Sequence, residues 1–372
     1  MSSHINPIEL LKQKKFSPFF IALFLGAFND NLFKNALVIL ITYQLVDQLP
    51  VNAHILASLS GGVFILPFFL FSASGGLLAD RFDKGKLIRI IKALEVGIMA
   101  LGAYSFLSQN VVLLMITLFL MGSQSAFFGP VKYSLLPIIL NKKELINGNA
   151  IIETGTFLAI LLGTIFGALI NLPYGLNIIC FSVVGLSILG WVASLYVPST
   201  TPNPKVKIDY NIFRSTKQIL SYTTSNQLLF LLVMGISWFW FLGALLLSQI
   251  PNLAKDILGA SESVVNLFIC IFTVGIATGS LLCNRILKHE IHTTYIPLAS
   301  FVMTFFLFDL YWISSQEYIH STKLLGMGEL LATFDGWHFL FSLFMISLAG
   351  GLFIVPLYAY LQISCKPDIC SR

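Results

Sequence analysis

This sequence predicts an all-α protein that crosses a membrane about ten times, and three observations support that prediction. Hydrophobic residues make up 56% of the 372 residues and charged ones only 10%, with a mean hydropathy of +0.85. A globule of that size still needs a polar coat, so the balance excludes a soluble fold. Apolar runs long enough for a hydrocarbon core of ~30 Å recur from end to end. The basic residues divide by side: the loops after alternate runs hold most of the 22 Lys and Arg, the opposite loops hold only Lys255 and Lys323, and Lys34 lies inside a run. That asymmetry places both ends in the cytoplasm and accounts for the formal charge of +5. The basic residues form short loops flush with the membrane rather than a patch with interleaved aromatics, which argues against a nucleic-acid partner. The five cysteines show no metal-type or redox-type spacing, so neither a disulfide framework nor a zinc site is implied.

The first run, residues 18–49, reads GAFNDNLFKNAL at 26–37. It is too long and too charged for a cleavable signal. Asp30 falls near its middle, where a charge costs roughly 2.5–3.5 kcal/mol unless it meets a partner or a wet cavity. Asp30 and Lys34 stand at i and i+4, so they share a face and can neutralise each other, with Asn31 on the same side. The stripe reads either as a structural polar seam or as the lining of a substrate path. Runs two and three, 54–79 and 87–107, flank a short basic turn, and the third carries Glu95 as a single charge. In runs four and five, 111–136 and 150–171, Lys132 and Glu153 lie about two turns from the cytoplasmic ends, so they can pair at equal depth, as a structural ion pair or as ligand contacts. Gly155, Gly163 and Gly167 read as close helix packing. The sixth run, 174–197, precedes the one long polar stretch, 198–226, with three prolines and then a helix-like segment carrying Arg214 and Lys217. Runs seven to ten follow at 227–253, 263–287, 295–315 and 337–362, and the ninth carries Asp309.

The stretch at 198–226 divides the chain into an N-terminal six-helix bundle, 1–197, a cytoplasmic linker and a C-terminal bundle of four helices, 227–372. The two sides repeat: GGLLADR, from Gly75 to Arg81, ends run two and GSLLCNR, from Gly279 to Arg285, ends run eight. Matching ends at equivalent helices argue for a unit duplicated in parallel.

The segment GGLLADRFDKGK (75–86) resembles the loop 2–3 signature of the major facilitator superfamily, with Gly75, Gly76, Asp80, Arg81 and Lys84 in the conformational motif and Arg285 as its counterpart; Asp83 departs from the glycine usual there. GAFNDNLFKNAL, FFGPVKYSLLP (127–137), ELINGNAIIETGTFLAILLGT (144–164) and SWFWFLGALLLSQIP (237–251) are more specifically similar to the bacterial lysophospholipid transporter family. That family includes the membrane domain of fused acyltransferase/acyl-carrier-protein synthetase proteins. The resemblance implies a non-enzymatic, cofactor-free inner-membrane carrier that flips lysophospholipids such as lysophosphatidylethanolamine inward for reacylation. Its substrate path would hold Asp30, Asn31, Lys34, Lys132 and Glu153, with Asp30 meeting an ammonium and Lys34 or Lys132 a phosphate. Twelve helices are usual in that design, so ten imply a C-terminally truncated or split version, six plus four of an expected six plus six. Its partners would be membrane lipid, the lysophospholipid, and an acyltransferase/acyl-carrier-protein synthetase or a separate fragment carrying the remaining helices. The alternatives are a non-transporting remnant or scaffold, and a proton-coupled carrier of another small molecule that uses Asp30 as its proton site.

Overall fold

A computed structural model describes residues 7–45, 53–204, 212–287, 291–315 and 324–364. Among them ten helices are long and apolar enough to cross a membrane, as the sequence predicts, and the chain is a multi-pass membrane protein. They are α1 (Ser17–Ile39), α2 (Ala53–Arg81), α3 (Lys84–Leu107), α4 (Val111–Ile139), α5 (Lys142–Gly167), α6 (Gly175–Leu195), α7 (Gln227–Asn252), α8 (Glu262–Ile286), α9 (Ile296–Ser314) and α10 (Phe334–Ser364). An amphipathic helix, Ile212–Ser225, precedes α7.

Local chemistry sets several of these boundaries. Asp83, Asn110 and Asn226 cap α3, α4 and α7 by accepting backbone N–H groups that the first turn cannot use. Prolines inside α2, α4, α7 and α10 do not end them, as membrane-spanning helices tolerate proline where helices of water-soluble proteins break. α5 starts at Lys142, ahead of the apolar run expected from 150. Its polar first turns belong to the helix because Glu144, Asn147 and Asn149 are buried, which a hydropathy window scores as loop. α1 runs into a π turn, Leu40–Gln44, and α7 into another, Leu253–Ile257, so the first helix of each half ends in the same device. The end of the first run, 46–49, lies outside the described residues.

The chain forms two compact units. The first comprises Met1–Asn141 and Leu162–Ser225. Its core gathers Phe33 and Leu37 of α1, Ile41 of the π turn after it, Met99 and Phe106 of α3, Leu118 and Met121 of α4, and Ile179 and Val183 of α6. The rings of Phe33 and Phe106 meet edge to face at 5.0 Å, an arrangement worth about 0.5–1.5 kcal/mol beyond burial. Lipid is as apolar as leucine, so close backbone approach must hold the helices together. Gly122 of α4 gives that approach: a Cβ there would strike the Phe64 carbonyl of α2.

The second unit comprises Lys142–Leu161 and Asn226–Ser364. Here Gly279 of α8 lies so close to α10 that a Cβ would strike the Leu348 carbonyl, which repeats the device of the first unit. Phe157 stacks on Trp240 at 6.0 Å, and the Trp240 indole donates to the Tyr358 hydroxyl at 2.7 Å. Asn149 and Gln362 exchange two hydrogen bonds, 2.8 and 3.1 Å, so each buried amide satisfies the other.

Candidate functional site

The first unit concentrates polar groups where α1, α3 and α4 meet. Asp30 lies half-buried near the middle of α1, and its Oδ2 accepts from the Ser125 hydroxyl of α4 at 2.8 Å. Lys34, one turn on, is also half-buried, and its ammonium stands 4.5 Å from the centroid of the Phe64 ring of α2. Asp30 and Lys34 form no direct ion pair among the described residues, although each remains an opposite charge within electrostatic reach of the other. Each side chain reaches a different neighbouring helix, because an i, i+4 pair on a packed helix can be drawn apart by the helices on either side. Asn31 does not extend that stripe toward Asp30's partner. It donates to the Ala27 carbonyl of its own helix at 2.8 Å and lies against Gly163, where a Cβ would come within 2.7 Å of its own. Gly163 and Gly167 thus take the packing role the sequence suggests, with Gly167 admitting Asn35.

Sequence reasoning missed the groups that complete the cluster. The loop cations include Lys92 when α3 is begun late, yet Lys92 is 1% exposed and pairs with Glu95 of the same helix at 2.7 Å. Gly26 of α1 makes the room: a Cβ there would collide with the Lys92 ammonium. Glu95, also buried, accepts a second bond at the same oxygen from the Gln124 amide at 2.9 Å. The signal was available as a Lys and a Glu three residues apart on an apolar helix facing a glycine, but the pair reads equally well as a solvated surface bridge. Asp309, the other isolated charge, meets His338 at 3.1 Å and accepts from Ser342, joining α9 to α10 in the second unit.

Lys132 lies in the first unit, buried, with its ammonium 4.7 Å over the Tyr133 ring; Glu153 lies in the second and is fully buried.

The loop 2–3 motif is anchored at both ends. Gly75 packs on α4, with a Cβ 3.1 Å from the Ala126 carbonyl; Gly76 and Asp80 are buried, and Asp80 does not lack a partner. Lys84 donates from its ammonium to the Ala79 carbonyl at 2.7 Å, Arg81 lies 5.7 Å from the Phe82 ring, and in the second unit Arg285 is exposed at the end of α8. Asp83, where the resemblance leads one to expect glycine, is a fastening point. Its Oδ1 accepts from Gly85 N at 2.8 Å and from Thr200 N, in the segment after α6, at 2.9 Å. Arg89 binds the Val197 carbonyl at 2.9 Å, and Asn203 N donates to the Arg81 carbonyl at 3.0 Å, so residues 197–203 are strapped to this turn. Burial raises the Asp83 carboxyl, but the backbone donors of Thr200, Lys86 and Gly85 and the Ser199 side chain outweigh it and hold the group below its ordinary value.

Comparison with known proteins gives this arrangement a family. Lysophospholipid transporters named LplT from Escherichia coli and Shigella sonnei are 26% identical over 378 aligned positions, covering 99% of this chain and 85% of their own length. The structures of the human organic anion transporter MFSD10 and the Escherichia coli fucose:proton symporter FucP superpose with TM-scores of 0.71 and 0.66. Both are 14% identical, and the matches cover 97% and 96% of this chain and 88% and 86% of theirs, a likeness of fold alone. The expectation of a truncated chain is not borne out by matches of this extent, since it rested on a helix tally and not on an alignment. The sequence model of the Major Facilitator Superfamily matches residues 19–368, and the chain belongs to that superfamily of transporters.

Proposed function

We propose that this protein carries lysophospholipids across the bacterial inner membrane, with lysophosphatidylethanolamine as the preferred substrate and delivery to the cytoplasmic leaflet for reacylation as the outcome. The observation that carries the reading is the separation of Asp30 and Lys34. A carboxylate and an ammonium lie one turn apart on α1, both half-buried and not joined in a direct ion pair. A zwitterionic headgroup has the complementary pair, an ammonium for Asp30 and a phosphate for Lys34, and a charge at this depth is stabilised by such a partner. Lysophospholipid transport by the aligned relatives, as their names state it, supports the same substrate class.

Uptake into proteoliposomes tests the headgroup assignment. Lysophosphatidylethanolamine should be taken up at least tenfold faster than lysophosphatidate, which has the phosphate but no ammonium; equal rates would remove Asp30 from the recognition. The distribution of basic residues supports cytoplasmic termini and a cytoplasmic segment at 198–226. In a cysteine-free background, a Cys replacing Thr322 should react with an impermeant reagent in intact cells and one replacing Asn203 should not. The reverse pattern would invert the orientation.

A further inference from the structure

The second unit holds an apolar cavity of about 170 Å³ between α8, α9 and α10. Cys283 and Ile286 of α8, Leu298 and Val302 of α9, and Leu348 and Ala349 of α10 stand in its walls. A cavity lined in this way stays dry, and one of roughly 150 Å³ takes up benzene, so the space suits about six carbons of a single chain. Cys283 and Ala349 are buried, whereas Ile286 and Leu298 are exposed, so the cavity is closed toward the packed helices and reached from the lipid side. The small size of Ala349 helps to keep it open. Gly75 in the first unit and Gly279 in the second each meet the backbone of a facing helix, at the carbonyls of Ala126 and Leu348. The next residue is Phe127 in the first unit, where its ring stacks on Phe71 at 5.7 Å, and Ala349 in the second, which brings only a methyl to the cavity.

One end of the cavity is polar. His292, in the segment before α9, lines it beside Tyr295, with the two ring centroids 5.7 Å apart. Its Nδ1 is buried and has no hydrogen-bond partner among the described residues, although buried polar atoms are ordinarily bonded. α9 has 19 residues, about 28 Å of helix, close to the ~30 Å hydrocarbon core, so its first turn lies where hydrocarbon gives way to the glycerol esters of the lipid. We propose that the cavity holds the upper part of one acyl chain of a phospholipid from the surrounding bilayer, with the ester carbonyl of that chain accepting from His292 Nδ1–H. The chain matches the apolar walls, and the ester offers an acceptor to the one buried nitrogen at their end. The site does not depend on what the protein carries, since its walls belong to the second unit and the Asp30 cluster to the first.

Photolabelling of the purified full chain in nanodiscs tests this. The probe is phosphatidylethanolamine with a diazirine on about the sixth carbon of one chain, and labelled peptides are mapped by mass spectrometry. Label is expected on the peptides that contain His292–Val302 and Met345–Leu352. Ala349→Phe, which puts a ring into the cavity, should lower it by about fivefold or more. Where that variant fails to fold, Val302→Phe, which fills the cavity from α9, takes its place. His292→Leu keeps an apolar side chain and removes the nitrogen, and it should lower the label by about threefold. Absence of label from these peptides in the wild-type chain, equal label in the filled variant or in His292→Leu, or label given by a lysophosphatidylethanolamine probe and not by the diacyl one would overturn the proposal.

Discussion

Lys92 and Glu95 show how little of a buried charge pair is visible in sequence. Asp30 stands out because any charge in the middle of a hydrocarbon run demands an explanation. Lys92 lies only a few residues beyond a basic turn and so passes for part of it. What separates the two cases is burial, which depends on Gly26 leaving space on a different helix. Removing one member of such a pair leaves an uncompensated ion away from water, at a cost of about 3–5 kcal/mol, whereas removing both is far cheaper. Thermal unfolding in detergent should therefore show Lys92→Met strongly destabilised and the double variant Lys92→Met/Glu95→Gln restored most of the way. A double variant no more stable than the single one would mean that Lys92 contributes by packing and not by charge.

At the scale of elements, helix identity was legible and helix contact was not. Apolar length alone located all ten spans, while the early start of α5 was hidden because its buried face is made of Glu144, Asn147 and Asn149. The turn between α2 and α3 gives a second case. A sequence reader notes Asp83 only as a departure from glycine, yet it caps α3 and fastens residues 197–203. Because its carboxyl is held below the ordinary value in the folded protein, the stabilisation it brings is present above the unfolded carboxylate pKa of about 3.9 and is lost as pH falls through the lower folded value. Asp83→Ala should cost about 1 kcal/mol, a roughly fivefold rise in opening. Hydrogen exchange of the peptide that contains Thr200 checks it. At neutral pH the variant should exchange faster than the wild-type chain, and equal rates would show that the strap is held by the other contacts.

At the scale of the whole molecule, two units built on the same devices account for the recurring sequence signals. Gly122 and Gly279 bring a helix pair to backbone contact in each unit, and a π turn ends both α1 and α7. The similar GGLLADR and GSLLCNR segments share one such contact: Gly75 lies against the Ala126 backbone of α4 as Gly279 lies against the Leu348 backbone of α10. The length of the chain was less informative, because a tally of spans suggested truncation where relatives align over 85% of their own length. The Asp30 cluster lies in the first unit, and Asp30 is the group proposed to meet a carried molecule. The most direct measurement is lysophosphatidylethanolamine uptake by the purified chain in liposomes, wild type beside Asp30→Asn, each normalised to folded protein. Uptake well above protein-free vesicles is expected for the wild type, with a loss of at least tenfold, about 1.4 kcal/mol, in the variant. A wild-type rate equal to the blank, or a variant as fast as the wild type, would contradict the account.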